Sequence, residues 1–260
     1  MKGIDLVTDR NNLRVLLAFV CGQKRTRSLR IGVKVVQSTV MFTCWNRKTT
    51  NYISGFDGYG HEAERAWTKK PNFIRDSVIH NRVVHYNFGG INLILRFEVD
   101  ACRGSTNDVL GYKPVISTYE TPTGYTVRNQ GYLVDSSRLV EIKTGTQRRI
   151  SKSADQLWFS KTPFLCKGRY TGDGIFSPAS QVNFIQDGKL EKWENENREK
   201  LMKLVTLLET IMEMVRAAPQ GTYALVILPG EPILKLHKAS DTYDKDLPED
   251  LLTMWKSDET

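Results

Sequence analysis

The 260 residues fit one large domain with a substantial core, and 40% hydrophobic with 25% charged residues is the composition of a soluble globular protein. The longest early apolar run, Val15 to Cys21, is far too short to span a membrane, which excludes a transmembrane anchor there. The formal net charge of +8 points to a phosphate-bearing partner such as nucleic acid, with general solubility as the plainer explanation.

In chain order, residues 9–21 read as a short helix, with Asp9 as N-cap and Leu13, Leu16, Leu17 and Val20 inward. Residues 29–45 are rich in β-branched side chains and predict one or two strands. Asn51 to Gly60 holds three glycines and reads as a loop. A helix from His61 to Lys69 follows, stopped by Pro71. Val83 to Asp100 predicts a hairpin turning near Asn87-Phe88-Gly89-Gly90. A second hairpin, about 113–134, turns at Thr121-Pro122-Thr123-Gly124. Ser153 to Leu165 reads as a short amphipathic helix broken by Pro163. Thr171 to Gly174 is a turn between two strands. One long helix covers Glu191 to Ala217, where Leu201, Leu204, Val205, Leu208, Ile211, Met212 and Val215 recur at helical spacing as a core stripe. Tyr223 to Leu228 and Ile233 to His237 close the pattern as a strand pair. Residues 1–240 read as a single domain and 241–260 as a polar, acidic, partly disordered tail. The class is α+β with a mixed sheet and flanking helices.

Two strings carry the chemistry, Phe97-Glu98-Val99-Asp100 and Val140-Glu141-Ile142-Lys143. On a strand, alternate side chains share a face. Glu98 and Asp100 therefore project together, and so do Glu141 and Lys143. Carboxylate oxygens suit magnesium or manganese, which can polarise a phosphoryl oxygen and activate water, and a lysine can offset charge on the phosphorane. The alternative is two amphipathic strands with solvated charges, and these strings alone leave both readings open.

Cys21, Cys44, Cys102 and Cys166 form no CxxC pair and the four histidines are scattered, which argues against zinc and for a reducing compartment. The opening Met1-Lys2-Gly3-Ile4-Asp5 lacks a signal-peptide pattern, so nuclear or cytoplasmic residence is expected. Lys24-Arg25-Thr26-Arg27 reads as a solvated loop rather than an import signal. Arg148 and Arg149 are candidates for tracking an RNA backbone, against an exposed loop. Trp158 reads as core rather than a base-stacking platform, and His61, His80, His85 and His237 read as structural.

Five segments in order resemble the DXO family of decapping exonucleases, which share the PD-(D/E)XK nuclease core. These are Asp5-Leu6-Val7-Thr8-Asp9-Arg10, Tyr59-Gly60-His61-Glu62-Ala63-Glu64, the Glu98-x-Asp100 strand, and the Glu141-x-Lys143-Thr144 strand. The fifth is Leu157-Trp158-Phe159-Ser160-Lys161 followed by Gly168-Arg169-Tyr170. Each is weak alone, but the ordered series, spanning roughly residues 5–235, is specific.

The resemblance implies that Glu64, Asp100 and Glu141, with the carbonyl of Ile142, hold a divalent metal, Mg or Mn. It further implies that Glu98 serves a second ion, that Lys143 contacts the scissile phosphate and that Arg10 binds an RNA phosphate. Ser160, or Lys161, stands where the family carries a phosphate-contacting glutamine. Glu62 is the alternative to Glu64; the two face about 200° apart on a helix, so one alone can serve.

The implied activity is removal of incomplete or aberrant RNA 5′ caps (a NAD cap, an unmethylated cap, a 5′-triphosphate), with 5′-to-3′ exoribonuclease activity. The implied partners are RNA 5′ ends and a 5′-to-3′ exoribonuclease, with no membrane. The alternatives are a PD-(D/E)XK deoxyribonuclease of DNA repair and a catalytically weakened RNA-binding partner of an exonuclease.

Overall fold

Alternation of apolar and polar side chains sets the frame. The computed structural model describes residues 1–44, 58–71, 74–104, 117–131, 133–145, 153–239, 247 and 249–255. Its elements are β1 Leu6–Asp9, α1 Arg10–Val20, β2 Leu29–Val36, β3 Thr39–Cys44, α2 Gly60–Trp67, β4 Asn81–Phe88, β5 Ile91–Glu98, β6 Ala101–Cys102, β7 Ser117–Glu120 and β8 Thr126–Asn129. They continue with β9 Leu139–Thr144, α3 Ala154–Ser160, β10 Phe164–Gly168, β11 Ser180–Asn183, α4 Lys189–Ala217, β12 Thr222–Ile227, β13 Leu234–Lys238 and α5 Glu249–Leu252.

Among the described residues the strands form a seven-stranded sheet, β13-β12-β2-β3-β1-β5-β4, a four-stranded sheet, β11-β10-β9-β6, and the β7-β8 hairpin. The larger sheet is mixed, with β1 parallel to β3 and β5 and its other pairs antiparallel. In the smaller one, β9 and β10 run parallel. The α+β expectation with a mixed sheet therefore holds.

Ile91, Leu93, Leu95 and Phe97 of β5 are all buried, as their alternation predicts. They join one core with Leu13, Leu16 and Leu17 of α1 and the stripe Leu201, Leu204, Leu208, Ile211, Met212 and Val215 of α4. The β4–β5 turn needs its glycines, since Gly89 and Gly90 have φ of 60° and 100°.

Five local expectations change. Leu6–Asp9 is a central strand that a four-residue stretch did not reveal. Asp9 makes no side-chain cap on α1; its Oδ1 instead accepts from Arg96 Nε at 2.6 Å. Helix α3 stops at Ser160, with Lys161 left-handed at φ 52°, so Phe164 and Leu165 lie in a strand. Pro163 explains the break, since it restricts the residue before it and cannot donate to a helix. Strand β5 ends at Glu98 and the chain enters the second sheet at Ala101. Part of the expected polar tail is packed: Trp255 is buried and its Nε1 donates to Thr39 Oγ1 at 2.9 Å. The predicted loop over residues 51–57, residues 113–116 of the second hairpin, Arg148, Arg149 and most of residues 240–260 lie outside the described residues.

Candidate active site

Strand β9 lies inside the small sheet between β6 and β10, so its alternation has two buried sides. Val140 and Ile142 pack with Phe164, Trp67, Ala101 and Cys166 on one side. Glu141 points to the other and is only 2% exposed. A buried carboxylate requires cationic and hydrogen-bonding partners. Here Arg10 Nη1 donates to Glu141 Oε2 at 3.1 Å, and Gln156 Nε2 donates to Oε1 at 2.5 Å. Lys143 also reaches Oε1. Arg10 Nη1 further donates to Ser160 Oγ at 3.2 Å, and its guanidinium lies 5.5 Å from the Phe97 ring centre.

Asp100 arrives from the bridge between the two sheets. Its Oδ2 accepts the Ile142 N–H at 2.7 Å. Burial, then the charge of Glu141, pushes its carboxyl up to about 7, with Glu64 adding to the rise. The Ile142 N–H and Lys143 oppose it. This is a carboxylate held largely out of water beside a second carboxylate.

Helix α2 supplies Glu64, half-buried and close enough to act on Asp100, with His61 Nδ1 3.8 Å from its Oε2. Glu62, the alternative ligand, is exposed. Thus Asp100, Glu141, Lys143 and the Ile142 backbone come together, with Glu64 facing them from α2 at longer range. Glu98 does not join them as tightly: it is exposed at the end of β5, and the charges acting on Asp100 are those of Glu141, Lys143 and Glu64.

The remaining candidates separate. Arg10 is buried against Glu141 and Ser160, behind the carboxylates rather than free for a phosphate. Ser160 is buried and donates to the Gln156 carbonyl at 2.8 Å. Lys161 turns away, its Nζ 4.5 Å from the Trp158 ring centre and 5.3 Å from that of Tyr86. Trp158 is core, with its Nε1 donating to Glu194 Oε2 at 2.9 Å.

Gln156 is the residue that the sequence reading missed. Gln156 and Ser160 stand four apart on α3 and share a face. That spacing, applied to the position where the glutamine was expected, points back one turn to Gln156.

Among the described residues, no three His, Cys, Asp or Glu side chains are gathered closely enough to hold one ion. The donor chemistry nevertheless fits a divalent cation: hard carboxylate oxygens, with Asp100 raised by burial and then by Glu141 and Glu64. Asp100, Glu141 and Glu64, with the Ile142 carbonyl, are the groups that would hold it.

No curated protein matches the chain by sequence. Solved structures match it in fold. Rai1 of S. pombe is 17% identical with a TM-score of 0.61, over 92% of this chain and 73% of that one. Candida albicans Rai1, in complex with pU5 and Mn2+, is 13% identical with a TM-score of 0.55, over 92% and 70%. Scheffersomyces stipitis Rai1, in complex with (3′-NADP)+ and a calcium ion, is 12% identical with a TM-score of 0.54, over 92% and 69%. The mixed-sheet architecture is therefore the fold of these Rai1 proteins. A family model matches residues 1–255, and by that match the chain belongs to the family described as domain of unknown function DUF8563.

Proposed function

We propose that this protein is a metal-dependent RNA 5′-end hydrolase that removes incomplete or aberrant caps, including NAD caps, unmethylated caps and 5′-triphosphates. Trimming of 5′-monophosphate RNA in the 5′-to-3′ direction belongs to the same proposal. The observation that carries it is Asp100 beside Glu141 and Lys143, its Oδ2 accepting the Ile142 N–H at 2.7 Å and its carboxyl pushed up to about 7 by burial and by Glu141, with Glu64 on α2 adding to the rise. The pU5–Mn2+ and (3′-NADP)+–calcium complexes of Rai1 proteins with the same fold support the choice of RNA 5′ ends and divalent ions.

A divalent ion held by these oxygens would polarise a phosphoryl oxygen and lower the pKa of water. The chain's own groups then divide the remaining work. Lys143 lies at the mouth of the carboxylate cluster, where its ammonium can pass from Glu141 to a phosphate oxygen. Gln156 fixes the rotamer of Glu141, and Arg10 supplies the fixed positive charge behind it. Ser160 holds Arg10 in line.

A second reading has one observation in its favour. Both Glu141 oxygens already accept from protein donors, Lys143 and Gln156 on one and Arg10 on the other. A site satisfied in this way would suit an RNA-binding partner of a 5′-to-3′ exoribonuclease that does no cutting itself.

The test is incubation of the purified protein with NAD-capped, methylguanosine-capped, triphosphate and monophosphate RNA, and with DNA, in magnesium, manganese or chelator. Asp100→Ala and Glu141→Ala run alongside. Metal-dependent cutting of RNA ends, abolished by both substitutions, is the expected result. RNA binding without cutting selects the partner reading, and preferential cutting of DNA overturns the RNA assignment.

A further inference from the structure

Helix α2 carries Glu64 to the site yet has almost no core of its own, since Ala63 is its one fully buried residue. Two ring-on-glycine contacts seat it instead. At its C-terminal end, Trp67 lies so close over Gly168 that a Cβ there would stand 2.0 Å from the ring. At its N-terminal end, the Tyr59 ring covers Gly174, where a Cβ would meet it at 2.7 Å. The rings continue into one cluster: Trp67 packs edge-on against Phe176 at 5.4 Å, and Tyr59 against Tyr170 at 5.0 Å.

The geometry links this seat to the carboxylates. Gly168 is the register partner of Thr144, and Lys167 that of Lys143. Trp67 also joins the small cluster of Val140 and Ile142, which flank Glu141 on β9, and Phe164 of β10. Gly60 stands four residues before Glu64 on the same helical row, and a Cβ on it would lie 3.5 Å from Thr144 Oγ1. The contact that holds Trp67 on β10 therefore also fixes the distance of Glu64 from β9.

We propose that Trp67, seated over Gly168, is a positioning residue that sets Glu64 against Asp100 and Glu141. Lacking a Cβ, Gly168 is what lets the edge of the ring reach the strand. This rests on the reading of Glu64, Asp100 and Glu141 as a divalent-ion site.

The experiment is calorimetric titration of the intact protein with Mn2+ alone, without RNA, compared with Gly168→Ala, Glu64→Ala and the double variant. Melting temperature is followed throughout. Gly168→Ala is expected to weaken Mn2+ binding by about tenfold, the usual effect of losing a group that orients a ligand. In the Glu64→Ala background the same change is expected to add nothing, because its target is gone. Trp67→Leu, which leaves Gly168 intact, is the second variant should the alanine fail to fold, and carries the same expectation.

Mn2+ affinity equal to wild type in Gly168→Ala or Trp67→Leu overturns the proposal. So does a loss of the same size with and without Glu64, which would be general destabilisation. Absence of Mn2+ binding by the wild type, by contrast, removes the metal-site reading itself and the positioning role with it.

Discussion

Gln156 and Asp100 meet the same problem, negative charge held out of water, from opposite sides. Gln156 donates to the buried Glu141 carboxylate, and hydrogen bonds to charged groups are worth roughly 1.5–3 kcal/mol. Gln156→Ala is expected to lower stability by about that amount in denaturant unfolding. It should also cut turnover at least tenfold with little change in RNA affinity, since the amide acts on Glu141 rather than on nucleotide. Asp100 gives a pH signature. Its carboxyl moves from an ordinary 3.8 to about 7 in the folded chain, so between these values the native state binds a proton that the unfolded chain has lost. Stability of the metal-free protein should then fall as pH rises from about 4 to about 7. Mn2+ should raise the melting temperature more at the upper end of that window, where it no longer competes with a proton. A melting temperature flat in pH without metal, in thermal scans from pH 4 to 8, would contradict this assignment.

At the scale of elements, hydrophobic period told most of the story and tertiary pairing the rest. The α4 stripe, the β4–β5 hairpin and the β12–β13 pair were legible because each repeats an apolar position several times. Strand β1 was not, because four residues hold too little periodicity. The end of α3 was placed too late because Lys161 takes a left-handed cap that composition does not announce. Glu98, Asp100 and Glu141 could be named from alternation and Glu64 only from the family resemblance, but Gln156 could not, since its role depends on which turn of α3 faces β9. Gly89 tests the hairpin's fit to α4. Its φ is 60° and a Cβ there would lie 2.6 Å from Val205 Cγ2. Gly89→Ala should cost about 1–3 kcal/mol. Adding Val205→Ala should recover only the steric share, with the backbone share remaining in the double variant's unfolding curve.

Across the whole molecule, the site and the chain's last described turn lie at opposite ends of the larger sheet. β1 and β3 run parallel; Arg10 follows the end of β1, whereas Thr39, which receives the Trp255 indole, begins β3. Trp255→Ala should therefore lower the melting temperature, with a loss of about 3 kcal/mol for an emptied aromatic site. Mn2+ affinity should stay as in the wild type; a parallel loss of both would mean that the two ends communicate.

The passage from Glu98 to Ala101 links the two sheets through Val99 and Asp100 alone, and both sides of the site depend on that spacing. Elsewhere, as at Thr121 to Gly124, the chain turns in solvent and an added residue changes only a loop. One residue inserted between Glu98 and Asp100 would leave every strand with its own alternation. It would nonetheless swing the Asp100 carboxylate off the Ile142 N–H. Chain length is thus least negotiable in a stretch that has no strand of its own, and natural length variation in this fold should avoid it.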